Sequence, residues 1–193
     1  MNICARSASN PPGVFNGSQV ALGAASAWAV TGDGELTRVD SATALRTGTV
    51  DVGQTATGLA VGFDGVWVID TFQGSLIRVD PVTLGPDEPV AVPGELDAIA
   101  VGAGGVWLLD QSAGIVTPYD PVSRRIGSPI RVGLEPSDLA VGLDAVWVAN
   151  HGEGTISRIN PVTGVVETIP IGAPVAAIAV DESTRSLWIL IAQ

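Results

Sequence analysis

"AVGLDAVWVANHGEGTISRINPVTG", residues 140–164, is the fourth appearance of one line of text. "ALGAASAWAVTGDGELTRVDSATAL" opens at Ala21, "AVGFDGVWVIDTFQGSLIRVDPVTL" at Ala60 and "AVGAGGVWLLDQSAGIVTPYDPVSR" at Ala100. The tryptophans Trp28, Trp67, Trp107, Trp147 and Trp188 fall 39, 40, 40 and 41 residues apart, so "AIAVDESTRSLWILIAQ", from Ala177, is a fifth and shorter copy. A repeat of this length marks an array of units, none of which can bury its apolar surface alone.

Each copy reads as short apolar runs separated by turn residues, with no helical periodicity. In the fourth copy, strands are expected near "DLAVG" (138–142), "AVWVAN" (145–150), "TISRIN" (155–160) and "VVETIPI" (165–171). Val146 and Val148 point to one side of the second strand, and Ala145, Trp147 and Ala149 to the other. Both faces are therefore apolar and both must be covered. Meanders stacked around an axis cover one another. The expected fold is all-β: a β-propeller of about forty-residue, four-stranded blades, four recognisable and a fifth partial, forming an incomplete ring. The blades are placed at 18–57, 58–97, 98–137, 138–176 and 177–193. Residues 1–17 precede them as a linker, or as an edge strand around "GVF". The tryptophans are assigned to packing between blades.

The turns agree. Asp80-Pro81, Asp120-Pro121 and Asn160-Pro161 follow the third strand, where an Asp or Asn side chain accepts a backbone hydrogen bond and proline ends the pairing. Ser41 stands at the proline position of the first copy and leaves that turn less determined. Gly62, Gly102 and Gly142 sit between the first and second strands, where backbone freedom is expected to matter.

A chain that is 46% hydrophobic and 15% charged is not disordered, and its 193 residues suffice for one sizeable domain. Twenty acidic residues against nine basic ones give a net charge of −11, which argues against a nucleic-acid partner. Cys4 is alone and cannot form an internal disulfide. The opening residues lack the apolar core of a signal peptide, and no run approaches a membrane helix in length, so membrane insertion is not expected.

At "VWVANHGEGTISRINPVTG" (146–164) the chain resembles the YVTN/NHL-type bacterial β-propeller repeats, including those of virginiamycin B lyase-like propellers, over about residues 18–193. The resemblance implies the fold. It leaves activity open, because such repeats occur in lyases, lactonases, regulators and extracytoplasmic sensor regions. It also implies an extracytoplasmic setting if the chain is part of a longer protein; the compartment is otherwise unread.

In an antiparallel meander, the loops between strands two and three share a face with the connections between blades. That is where the copies differ: "TGDG", "DTFQG", "DQSAG" and "NHGEG" in the first set, "GQTATG", "PGELDA", "GLEPSD" and "GAPVA" in the second. Loops that vary on a constant scaffold are where a partner is read. The expected ligand-binding rim is Asp70, Phe72, Gln73, Glu95, Asp97, Asp110, Glu135, Asp138, Asn150, His151 and Glu153, with Asp33, Thr71 and Leu134 beside them. Asp70, Asp110 and Asn150 recur at one position, which points to a shared structural job such as an Asx turn.

The resulting expectation is a non-catalytic module that binds or senses a protein, glycan or small molecule through this acidic face, with no cofactor required. The alternative, implied by the family resemblance, is a metal-assisted lyase or lactone hydrolase using His151, the single histidine, with Glu153 as an acid-base pair. Calcium or magnesium is the metal an acidic mouth would take. No phosphate loop, nucleophile elbow or Cys/His zinc cluster is present. The uncharged edge "LWILIA" (187–192) is expected to self-associate.

Overall fold

A computed structural model describes residues 19–31 and 33–192. The expected linker or edge strand at 1–17, with "GVF" and Cys4, lies outside the described residues. The chain divides into two compact units, one ending at Pro93 and the other beginning at Gly94.

The first unit holds two blades. β1 (Gln19–Gly23), β2 (Ser26–Val30), β3 (Glu35–Asp40) and β4 (Arg46–Asp51) form one antiparallel sheet in chain order. β5 (Ala56–Gly62), β6 (Gly65–Asp70), β7 (Ser75–Val79) and β8 (Val90–Ala91) form the next. The second unit holds the rest. β9 (Ala98–Gly102), β10 (Gly105–Asp110), β11 (Ile115–Asp120), β12 (Arg125–Ile126) and β13 (Ile130–Arg131) make the third blade. β14 (Pro136–Gly142), β15 (Ala145–Asn150), β16 (Thr155–Ile159) and β17 (Val166–Pro170) make the fourth, and β18 (Val175–Asp181) and β19 (Ser186–Ile191) pair as a two-stranded fifth. The described residues are all-β, an incomplete β-propeller of four blades and a partial fifth.

The outermost strand departs from the expected pattern in two blades. β8 has two residues, and the third blade's outer edge is split between β12 and β13, both pairing with β11. Pro86 and Pro89 precede β8, and Pro129 separates β12 from β13. Proline has no N–H to give to a ladder, which weakens pairing along these outer edges.

Packing follows the repeat. Trp28 and Val30 pack with Leu59 and Val61, Trp107 and Leu109 with Leu139 and Val141, and Trp147 and Ala149 with Ile178 and Val180. In each case a second strand presses on the first strand of the following blade. Trp28, Trp67, Trp107 and Trp147 are 0–9% exposed. Each Nε1 donates to the glycine carbonyl five residues earlier, at 2.9–3.1 Å, so the buried indole N–H is satisfied. Trp188 occupies the same position in β19 but is 65% exposed, because no described blade follows it.

Backbone freedom matters as expected at Gly102 and Gly142, whose φ values are 148° and 157°, and close packing adds a second reason for glycine before the first turn. A Cβ on Gly23 would stand 2.5 Å from Val61 Cγ1, on Gly102 2.8 Å from Val141 Cγ1, and on Gly142 2.5 Å from Val180 Cγ1. Close approach of the next blade excludes a side chain. The left-handed turn itself is made by the following pair, such as Phe63 and Asp64 at φ 48° and 50° or Leu143 and Asp144 at φ 53° and 58°.

The turns after the third strand form as expected. Asp80 Oδ1 accepts from the amides of Val82 and Thr83 (2.8 Å each), and Asn160 Oδ1 from those of Val162 and Thr163 (3.0 Å each). Asp40 makes the same pair with Ala42 and Thr43 despite Ser41, because the side-chain acceptor rather than proline closes the turn.

Candidate functional site

The variable loops of the second unit are tied into one surface by backbone hydrogen bonds. Val132 N donates to Gly114 O (3.0 Å), His151 N to Glu135 O (3.0 Å), Gly152 N to Leu134 O (3.1 Å) and Ile171 N to Gly154 O (2.9 Å). The loops after β10 and β15 thus lie against the connections entering β14 and β18. Between them is an open cleft of about 620 Å³. Glu95 and Asp97 line it from one connection and Gln111 and Ser112 from the loop after β10. Glu135, Pro136 and Ser137 line it from the next connection, and His151 from the loop after β15.

Asp110 supports the acidic end. Its Oδ1 accepts from Ser112 Oγ and Ala113 N (2.8 Å each), and its Oδ2 from Glu95 N (3.0 Å). Burial pushes its pKa up, but the Ala113 amide, the Ser112 hydroxyl and the Glu95 amide outweigh burial and hold it below the ordinary value. Asp97 Oδ2 accepts from Gln111 N (2.8 Å), and Gln111 Nε2 donates to Ser137 O (3.4 Å). Glu95, Asp97 and Asp110 bring one carboxylate oxygen each within 4.8 Å of one another, the arrangement that could hold a divalent cation.

His151 Nδ1 lies 3.8 Å from Glu135 Oε2. Glu135 therefore stands where Glu153 was expected to stand. Glu153 does not line the cleft, and its Oε2 is 3.4 Å from Thr155 Oγ1. In "NHGEG" the two residues are close in sequence, but the chain between β15 and β16 turns and presents a residue of the neighbouring connection to the imidazole.

The remaining rim residues are not brought together. Asp70 is fully buried. Its Oδ1 accepts from Thr55 Oγ1 (2.7 Å), Phe72 N (3.0 Å) and Gln73 N (3.1 Å), an Asx turn, while its buried Oδ2 has no hydrogen-bond partner among the described residues. Asn150 is also buried. Its Oδ1 accepts from Gly133 N (3.2 Å), and its Nδ2 donates to Thr155 Oγ1 (3.0 Å) and Ser157 Oγ (2.9 Å). Neither residue offers a side chain to a ligand. Asp138 is within β14 and accepts from Leu139 N (2.8 Å) and Ile178 N (2.9 Å), joining the fourth blade to the fifth. Burial raises its pKa despite those amides.

Thr71, Phe72 and Gln73 are exposed on the loop after β6, in the first unit, and Asp33 is exposed there beside Thr31, whose hydroxyl it accepts. Leu134 is exposed next to Glu135. Gln111, Ser112, Pro136 and Ser137 line the cleft and were not singled out from the sequence. Only their place in the variable loops marks them.

No family model matches the sequence, and no curated protein matches it. Solved structures match it in fold. A streptogramin B lyase superposes with a TM-score of 0.77 at 16% identity, over 91% of this chain and 62% of that one. A glutaminyl cyclase from Myxococcus xanthus gives 0.60 at 16% identity, over 89% and 84%. A functionally unknown protein from Desulfotomaculum acetoxidans DSM 771 gives 0.74 at 12% identity, over 86% and 59%. The chain thus spans less than two thirds of the length of two of these three proteins. At such identities the likeness is one of fold: all-β, of the β-propeller kind.

Proposed function

We propose that this chain is a recognition module of YVTN/NHL type that takes a cationic group, an amine or guanidinium of a small molecule or of a peptide side chain, in the acidic cleft. One observation carries the reading. The cleft presents the carboxylates of Glu95, Asp97 and Glu135, with the Gln111 amide and Ser112 hydroxyl beside them, and among the described residues no lysine or arginine lines it. Its volume is that of a small-ligand site. Buried, hydrogen-bonded Asp110 holds the Glu95 backbone in place, which limits the reorganisation needed on binding. Calcium or magnesium at Glu95, Asp97 and Asp110 would compete for the same carboxylates.

Isothermal titration with spermidine, an Arg-Arg dipeptide and calcium tests this reading. Organic-cation binding that weakens at least tenfold in Asp97→Asn or Glu135→Gln, and that weakens with added salt, supports it. Binding that is absent, or indifferent to both substitutions, overturns it. The pairing of His151 with Glu135, together with the likeness to a streptogramin B lyase fold, favours a second reading as a metal-assisted lyase or lactone hydrolase. In that case His151→Ala abolishes turnover of a cyclic ester in the presence of magnesium, whereas a recognition module shows no turnover to abolish.

A further inference from the structure

Three blade junctions, one within the first unit and two within the second, follow one rule. The tryptophan of a second strand and the residue two positions on meet two first-strand residues of the next blade: Trp28 and Val30 meet Leu59 and Val61, Trp107 and Leu109 meet Leu139 and Val141, and Trp147 and Ala149 meet Ile178 and Val180. In these contacts Leu59, Leu139 and Ile178 are each 7% exposed. Two halves of the rule are uncovered. Trp188 and Leu190 form a trailing pair in β19 and are 65% and 54% exposed. Val20 and Leu22 form a leading pair in β1 and are 53% and 47% exposed.

We propose that the trailing face of the fifth blade docks the leading face of the first blade of a second copy of this chain. The occupant is set by continuity with the junctions already present, since the chain carries both halves of an interface it makes three times elsewhere. Neither β1, "QVALG", nor β19, "SLWILI", carries a charge, so the seam opposes no like charges although each chain bears −11. Pairing β19 edge to edge with another β19 would satisfy backbone groups but leave Trp188 and Leu190 in water.

The seam is looser than an internal junction. Asp181 pairs with Ser186 where Gly142 pairs with Ala145, so a Cβ stands where the incoming strand would approach closest. The contact is heterologous, with different surfaces meeting, so it builds a closed ring where the rotation closes and an open chain of copies where it does not.

Light scattering on the full chain, from micromolar to near-millimolar concentration, provides the test. The mass is expected to rise from 19.6 kDa to twice that value or a higher multiple. Trp188→Glu and Leu22→Glu should each remain monomeric alone, while an equimolar mixture forms a heterodimer and stops there, because each variant retains the face the other lost. A parent chain monomeric throughout overturns the proposal, and so does a mixture that stays monomeric. Self-association of Leu22→Glu alone overturns it in favour of edge pairing. Circular dichroism checks that each variant folds, with Leu190→Glu and Val20→Glu as replacements.

Discussion

Replacing Trp107 with alanine tests the blade junction directly. The indole is 3% exposed, packs in one cluster with Leu109, Val116, Leu139 and Val146, and donates to Gly102 O at 3.0 Å. A buried tryptophan removes roughly 200 Å² from water, which at about 25 cal/mol per Å² is roughly 5 kcal/mol as an upper bound. Alanine keeps its Cβ, and a real unfolded chain already hides part of that area, which lowers the figure. The cavity left behind and the stranded carbonyl raise it again. The expected loss is about 3–5 kcal/mol, a large share of an ordinary domain's stability. Urea unfolding followed by circular dichroism at low protein concentration reads it, with Trp188→Ala as the control expected to lose under about 1 kcal/mol because its ring is already in water. Equal losses at the two positions, or a loss at Trp107 below about 1 kcal/mol, would refute the packing argument.

Two further outcomes follow from single contacts. Gly142→Ala forces a Cβ to within 2.5 Å of Val180 Cγ1 and should lower stability by about 1–3 kcal/mol. Adding Val180→Ala should recover part of that loss in a urea double-mutant cycle, and strictly additive losses would contradict the close approach. Asp80→Asn should leave stability at neutral pH unchanged, since Asn160 makes the same two turn bonds. Amide hydrogen bonds from Thr83 and Val82 hold the folded Asp80 pKa below the ordinary aspartate value. The turn's ionised-state stabilisation is therefore present above that value and lost as pH falls through the folded pKa. The asparagine variant should show a shallower fall in urea midpoint between neutral and strongly acidic pH, and an unchanged slope would remove Asp80 from the acid response.

The strands of the fourth blade were legible in the sequence to within two residues, because apolar alternation and Asx turns are local signals: 138–142, 145–150, 155–160 and 165–171 were expected where β14 to β17 stand. The recurrence of Asp70, Asp110 and Asn150 also announced a structural role, and burial and hydrogen bonds account for it at each position. The cleft was legible only as a region. Adjacency in "NHGEG" suggested His151 with Glu153, but the partner at the imidazole comes from a connection sixteen residues earlier, at Glu135.

By itself the sequence determined what recurs every forty residues: the strand pattern, the blade, and a tryptophan that needs a neighbour to cover it. Period-two alternation and turn chemistry act between residues close along the chain, so one copy states them in full. Tertiary structure decided what depends on distances between copies. It added close approach by a valine of the next blade to the reasons for glycine at Gly23, Gly102 and Gly142, gathered Glu95, Asp97, Glu135 and His151 around one cleft, and left Trp188 uncovered while its four equivalents are buried. Those outcomes depend on which surfaces meet, and identical local sequence can be buried or exposed according to what stands beside it.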